Sequence, residues 1–275
     1  MIVLSAIIVR INILNRQFQP FDYLVMIETF ELRNIDVSFG KNTVLKNISM
    51  RVKQGECIGV IGINGAGKST LFNVICNVIS PSTGCIYMND VQIVGDYSLA
   101  LKHTIGALVN KPYLIEDLTA SEYLQIIAKI YKLEDYIGKV QSLLEFFFID
   151  YAAVMGLKIR HFSSGMKQRV AIASSLIHKP SLLILDEPFN ALDIIAIANV
   201  IDLLTEYKKH AIVFISSHNL SYIEQLTDRI LLIGEGTSIF WGTTREFSEN
   251  KVAELLRVTK PNFEKQKNDL SWLLV

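Results

Sequence analysis

Cysteine is scarce in this 275-residue chain: there are three, Cys57, Cys76 and Cys85. Their spacing contains no CxxC pair, which excludes a disulfide framework and a zinc site built on paired thiolates. Buried free thiols in a reducing compartment are the expectation. Proline is also sparse at six, with fifteen glycines and half of all residues apolar, which excludes a disordered, collagen-like or low-complexity chain. Excess charge is missing: 27 Lys and Arg balance 27 Asp and Glu, so dominant electrostatic binding of nucleic acid is not expected. No apolar run reaches membrane-spanning length. The stretch Met1–Val9 stops at Arg10 and lacks the basic flank of a secretory signal. A second methionine stands at Met26, and residues 1–25 read as an upstream extension that adds nothing to function. What the chain has is length for two domains or one large α/β unit. Its mean hydropathy of +0.32 points to a surface that buries itself against a partner.

The pattern alternates between strand and helix. Strands are expected at 30–36, 44–52, 57–61, 85–88, 182–185, 211–216, 230–233 and 237–241. Helices are expected at 68–79, 121–131, 136–148, 164–178, 192–209 and 220–226. From about residue 101 to 163 helical spacing dominates, and the stretch reads as a helical subdomain inserted into the core. Strands alternating with helices predict an α/β fold with a mostly parallel sheet covered on both faces, and an antiparallel β part near the N-terminus. Residues 246–275 read as a C-terminal tail packed on its own core.

Residues 62–69 (Gly62-Ile63-Asn64-Gly65-Ala66-Gly67-Lys68-Ser69) match G-x-x-x-x-G-K-[ST] in full, between a buried strand and a helix. Glycines let the backbone wrap phosphate oxygens and aim N–H donors at them. The helix that follows adds the positive end of its dipole. Gly62, Asn64, Gly65, Ala66, Gly67, Lys68, Ser69 and Thr70 are therefore the expected phosphate cradle. Lys68 reaches the β- and γ-phosphates, and the Ser69 hydroxyl ligates Mg²⁺. The alternative is a Gly-rich turn between strand and helix.

Further along, the apolar strand Leu182–Leu185 ends in Asp186-Glu187-Pro188. In P-loop NTPases an Asp in this place holds Mg²⁺, so Asp186 is the metal candidate. Glu187 is placed to take a proton from an attacking water. Alone, such an acidic pair is as readily a solvated loop.

Together these residues resemble a family. Phe162-Ser163-Ser164-Gly165-Met166-Lys167-Gln168-Arg169 resembles the LSGGQ signature of ATP-binding-cassette (ABC) proteins. Asn190-Ala191-Leu192-Asp193 resembles the D-loop, and Ser216-Ser217-His218 the switch-histidine motif. Phe39 sits where the family stacks an aromatic on adenine. Ile105–Leu108, Leu118–Leu124 and the signature run look most like the bacitracin/lantibiotic-type exporter ATPases.

The resemblance implies a P-loop NTPase (RecA-like) core spanning 26–245 that binds ATP and Mg²⁺ and hydrolyses ATP. It implies a head-to-tail dimer, in which Ser163, Ser164 and Gly165 of one chain meet the nucleotide of the other and Asp193 signals across the interface. His218 would contact the γ-phosphate and hold the water for Glu187. The Q-loop position falls at Asn110, one methylene shorter than the family's Gln, and it counts as a ligand to nucleotide and metal. Ser164 replaces the first signature Gly and Met166 its Gln. Without a spanning segment of its own, the subunit is expected on the inner face of the cell membrane, in the cytoplasm, powering export through a separate permease. Two rivals are a non-transport ABC ATPase acting on nucleic acid or ribosomes, and a low-turnover nucleotide-sensing module.

Overall fold

The computed structural model describes residues 26–110, 113–148 and 150–249. Residues 1–25 and 250–275, which hold the expected extension and most of the expected tail, lie outside the described residues. Among the described residues ten strands make one sheet: β1 (Thr29–Phe39), β2 (Asn42–Lys53), β3 (Cys57–Ile61), β4 (Thr83–Met88), β5 (Val91–Ile93), β6 (Ile105–Leu108), β7 (Leu182–Leu185), β8 (Ile212–Ser216), β9 (Arg229–Gly234) and β10 (Thr237–Thr243). Their order is β5-β4-β1-β2-β10-β9-β3-β8-β7-β6. The run from β9 to β6 is parallel. The β5-β4-β1-β2 end is antiparallel, as the sequence predicts for the N-terminal part.

The helices are α1 (Lys68–Ile75), α2 (Leu99–Lys102), α3 (Ala120–Ile130), α4 (Tyr136–Phe147), α5 (Tyr151–Val154), α6 (Ser164–Leu176), α7 (Ile194–Tyr207), α8 (Leu220–Leu226) and α9 (Thr244–Glu249). Side-chain alternation divides the interior into two cores, one on each face of the parallel strands. In β7, Leu182 and Ile184 join the core that holds Leu71, Phe72 and Ile75 of α1, and in β8 Phe214 joins them. Leu183 and Leu185 join the opposite core, with α6, α7, α8 and the insertion helices α3 and α4. Both faces are therefore apolar, which is why β3, β7 and β8 read as unbroken apolar runs. Each such side chain contributes about 1.5–3 kcal/mol on burial.

Most boundaries differ from the sequence reading by a few residues, and three differences have a visible cause. The stretch 101–163 is not helical throughout, because β6 pairs with β7 and belongs to the sheet. α1 stops at Ile75 rather than running to residue 79. Asn77 takes a left-handed conformation at φ 56°, and the Val78 and Ile79 amides turn back to the Asn73 carbonyl, a C-terminal stop in which Asn takes the place of Gly. α7 starts at Ile194 because the Asp193 side chain accepts the Ala196 amide as its N-cap. The three thiols are free, but only Cys57 is fully buried. Phe247, at the head of the predicted tail, is buried against Phe240.

Candidate active site

Parallel strands place their C-terminal ends along one edge, where loops gather. Four adjacent strands use that edge here. β3 leads into the Gly62–Ser69 loop, β6 into Asn110, β7 into Asp186 and Glu187, and β8 into Ser217 and His218. A cleft of about 720 Å³ results, lined by Asn64, Gly65, Gly67, Lys68, Ser69, Thr70, Asn110, Asp186, Glu187 and His218, with Val44 and Asn190 added.

The cradle needs its glycines. A Cβ on Gly62 would stand 2.4 Å from the Ile233 carbonyl oxygen. Gly67 has φ 109°, and a Cβ there would meet Leu45 at 2.6 Å. No side chain caps α1 at Gly67, so the helix keeps its first N–H donors for a ligand. Lys68 folds back and donates from Nζ to the Gly62 carbonyl (2.7 Å) and the Ile63 carbonyl (3.2 Å). Burial lowers the affinity of this ammonium for its proton, and the charges of Glu187 and Asp186 oppose that shift.

The carboxylates face the cradle. Ser69 Oγ donates to Asp186 Oδ2 at 2.8 Å. The Asp186 amide donates to the Leu108 carbonyl at 2.7 Å, which ties the turn to β6. Glu187 lies beside His218: Oε1 is 3.1 Å from His218 Nε2, and Oε2 accepts the His218 amide at 3.2 Å. Burial raises the Glu187 pKa above the ordinary carboxylate value, against the pull of His218 and Lys68. A carboxyl raised in this way is a better proton acceptor than a solvated one.

The remaining predicted residues stand elsewhere. Phe39 is exposed at the end of β1 and is not part of the lining. Ala66 is buried behind the cradle. Ser163 caps α6 by accepting the Met166 amide at 3.2 Å. Ser164 and Gly165 follow in the first turn, and a Cβ on Gly165 would stand 2.4 Å from the Ala191 carbonyl oxygen. The signature-like and D-loop-like segments therefore touch each other; Asn190 lines the cleft, whereas Ser163–Gly165 and Asp193 do not. Asp193 pairs with Arg169, and the Ala196 amide holds its carboxyl below the usual range.

The profile of the ABC transporter family matches residues 45–190, from within β2 to Asn190. The chain belongs to the ABC transporter family. The lantibiotic transport ATP-binding protein SrtF of Streptococcus pyogenes is 32% identical over 238 residues, 86% of this chain and 99% of SrtF. The bacitracin transport ATP-binding protein BcrA of Enterococcus faecalis is 34% identical over 221 residues, 78% of this chain and 68% of BcrA. A solved structure described as an ATP binding subunit of an ABC transporter superposes with a TM-score of 0.73 at 29% identity, over 83% of this chain and 98% of that one.

In this ABC ATPase, sequence reasoning missed two polar residues beside the turn. Ser216 Oγ donates to Asp186 Oδ1 at 2.6 Å and accepts the Glu187 amide at 2.9 Å. Gln168 Nε2 donates to the Glu187 and Pro188 carbonyls at 3.3 and 3.1 Å. Both lie inside segments quoted for the ABC resemblance, yet no local signal marked them. Their partners come from the turn after β7 and lie 19 or more residues from each in sequence.

Proposed function

We propose that this chain is the ATP-hydrolysing subunit of an exporter that removes antimicrobial peptides or related antibiotics through a separate membrane permease. One observation carries the hydrolytic part. The Ser69–Asp186 hydrogen bond joins the phosphate cradle to the carboxylate turn, and Glu187 and His218 pair on the same cleft. In this reading the cradle from Gly62 to Thr70 binds the phosphates and Phe39 packs on the adenine. Glu187 takes the proton of the attacking water, and His218 orients that water.

Ser69 and Asp186, with Asn110 beside them, are hard oxygen donors that fit Mg²⁺. Among the described residues no group of three or more His, Cys, Asp or Glu could hold a metal. That agrees with an ion that takes few protein ligands and completes its shell from water and phosphate. When bound, it would neutralise charge on the phosphate oxygens.

Ser163–Gly165 stand at a helix N-terminus outside the cleft lining. This supports a head-to-tail dimer in which they face the partner's nucleotide, with Asp193 at the interface. The nucleotide-binding domain spans 26–245, and its helical part passes motion to the permease. SrtF and BcrA, named for lantibiotic and bacitracin transport, support the export assignment. Among the described residues no helix is long and apolar enough to cross a membrane. That fits a cytoplasmic subunit at the inner face of the membrane.

The test is Glu187→Gln. It keeps shape and burial but removes the proton acceptor. Steady-state hydrolysis should fall by about 100-fold or more, while ATP still binds and doubles the mass in light scattering. Turnover at the wild-type rate would refute Glu187 as the base.

A further inference from the structure

Glu187 has φ 51°, in the left-handed region. A residue with a side chain stays there only when its surroundings over-determine it. Two side chains from different elements grip its peptide groups. Ser216 ends β8, is fully buried, and meets the Glu187 N–H with its hydroxyl oxygen. Gln168, on α6 and 7% exposed, meets the carbonyls of Glu187 and Pro188 with its amide group.

A serine hydroxyl has one proton and two lone pairs. Here the proton goes to Asp186 Oδ1 and a lone pair to the Glu187 N–H. With Oδ1 held, Asp186 presents Oδ2 to Ser69. One hydroxyl thus sets the orientation of both acids. Gln168 lies one turn into the helix that begins at Ser164, so displacement of α6 pulls on the turn that carries Glu187.

We propose that Ser216 and Gln168 are positioning residues that clamp the Asp186–Pro188 turn, aiming Glu187 at His218 and Asp186 at Ser69, and that Gln168 couples the signature-like helix to that turn. The proposal rests on the reading of Glu187 as the base.

The test uses the full chain and three variants. Ser216→Ala removes the hydroxyl. Gln168→Leu keeps volume without the amide, and Gln168→Glu keeps shape without the donor. In ATP hydrolysis each should lower kcat by about 10- to 100-fold with KM for ATP within about threefold, as expected when a reacting group is misplaced. In the Glu187→Gln background the two Gln168 variants should not lower the residual single-turnover rate further, because no base remains to be aimed. Melting curves report folding, and if Ser216→Ala does not fold the two Gln168 variants decide. Wild-type kcat in the folded variants, with Glu187→Gln inactive, overturns the clamp alone. An equal fold-loss of the Gln168 variants in both backgrounds also overturns it, because that marks a general structural role. Wild-type turnover by Glu187→Gln instead overturns the underlying reading.

Discussion

At the scale of single residues, the histidines divide by environment rather than by sequence. His218 faces Glu187, while His178 is 4% exposed and stacks on Tyr131, ring centroids 3.7 Å apart. His178 Nε2 lies 3.1 Å from the Ile105 carbonyl oxygen, and Nδ1 has no partner. The neutral ring with its proton on Nε2 satisfies that contact. Burial lowers the His178 pKa from 6.5 to about 4. The unfolded chain therefore takes up a proton below pH ~6.5 that the native protein resists until pH ~4. The resulting stability is full above pH 6.5 and is lost as the pH falls towards 4. Between pH 7.5 and 5 the loss should be about 2 kcal/mol, read as a falling urea midpoint. His178→Phe keeps a ring against Tyr131 without the titrating group, and its midpoint should fall less steeply. Equal slopes for the two proteins would exclude His178 as the source.

At the scale of elements, the parallel sheet is packed so closely that one methyl group decides a contact. A Cβ on Gly106 of β6 would stand 2.1 Å from the Ser175 carbonyl oxygen of α6 and 2.6 Å from Pro180. Gly106→Ala must push α6 off the strand and should cost about 1–3 kcal/mol in chemical denaturation. Gly138, inside α4, has open space around its Cβ position. Gly138→Ala should be stabilising by about 0.5–1 kcal/mol, so the pair separates crowding from simple replacement of glycine. These elements also show what a sequence can carry. β3, β7 and α8 were legible to the residue, because apolar runs end there at turn-forming or polar neighbours. β6 was not, because four residues including a glycine are too few to show a period. β5 is shorter still. The cradle and the acid pair were legible because their chemistry is local. Ser216 and Gln168 were not, because their roles arise only where β8 and α6 meet the turn after β7.

At the scale of the whole molecule, the surface is divided between two tasks. The phosphate cradle, Asp186, Glu187 and His218 share one cleft, whereas Ser163–Gly165 lie outside its lining, against Ala191. In the proposed head-to-tail arrangement a second copy would bring those residues to the nucleotide. The helical insertion remains, and Ile126, Ile130, Ile137 and Phe146 on its helices are exposed large apolar side chains. The zero net charge of the chain argues against a dominant electrostatic attraction for nucleic acid. Tagged chain extracted with its host membranes in mild detergent should bring down a polytopic membrane protein in stoichiometric amount. In the proposed reading that protein selects the exported molecule, and the cleft of this chain, lined by the Gly-rich loop, Asp186, Glu187 and His218, serves the nucleotide. Recovery only in the soluble fraction, with ribosomes or nucleic acid bound, would overturn the transport reading while leaving the hydrolytic site intact. In this proposal the partner and the chemistry are separable, because the first is assigned to the insertion's outer face and the second to the C-terminal edge of the parallel strands.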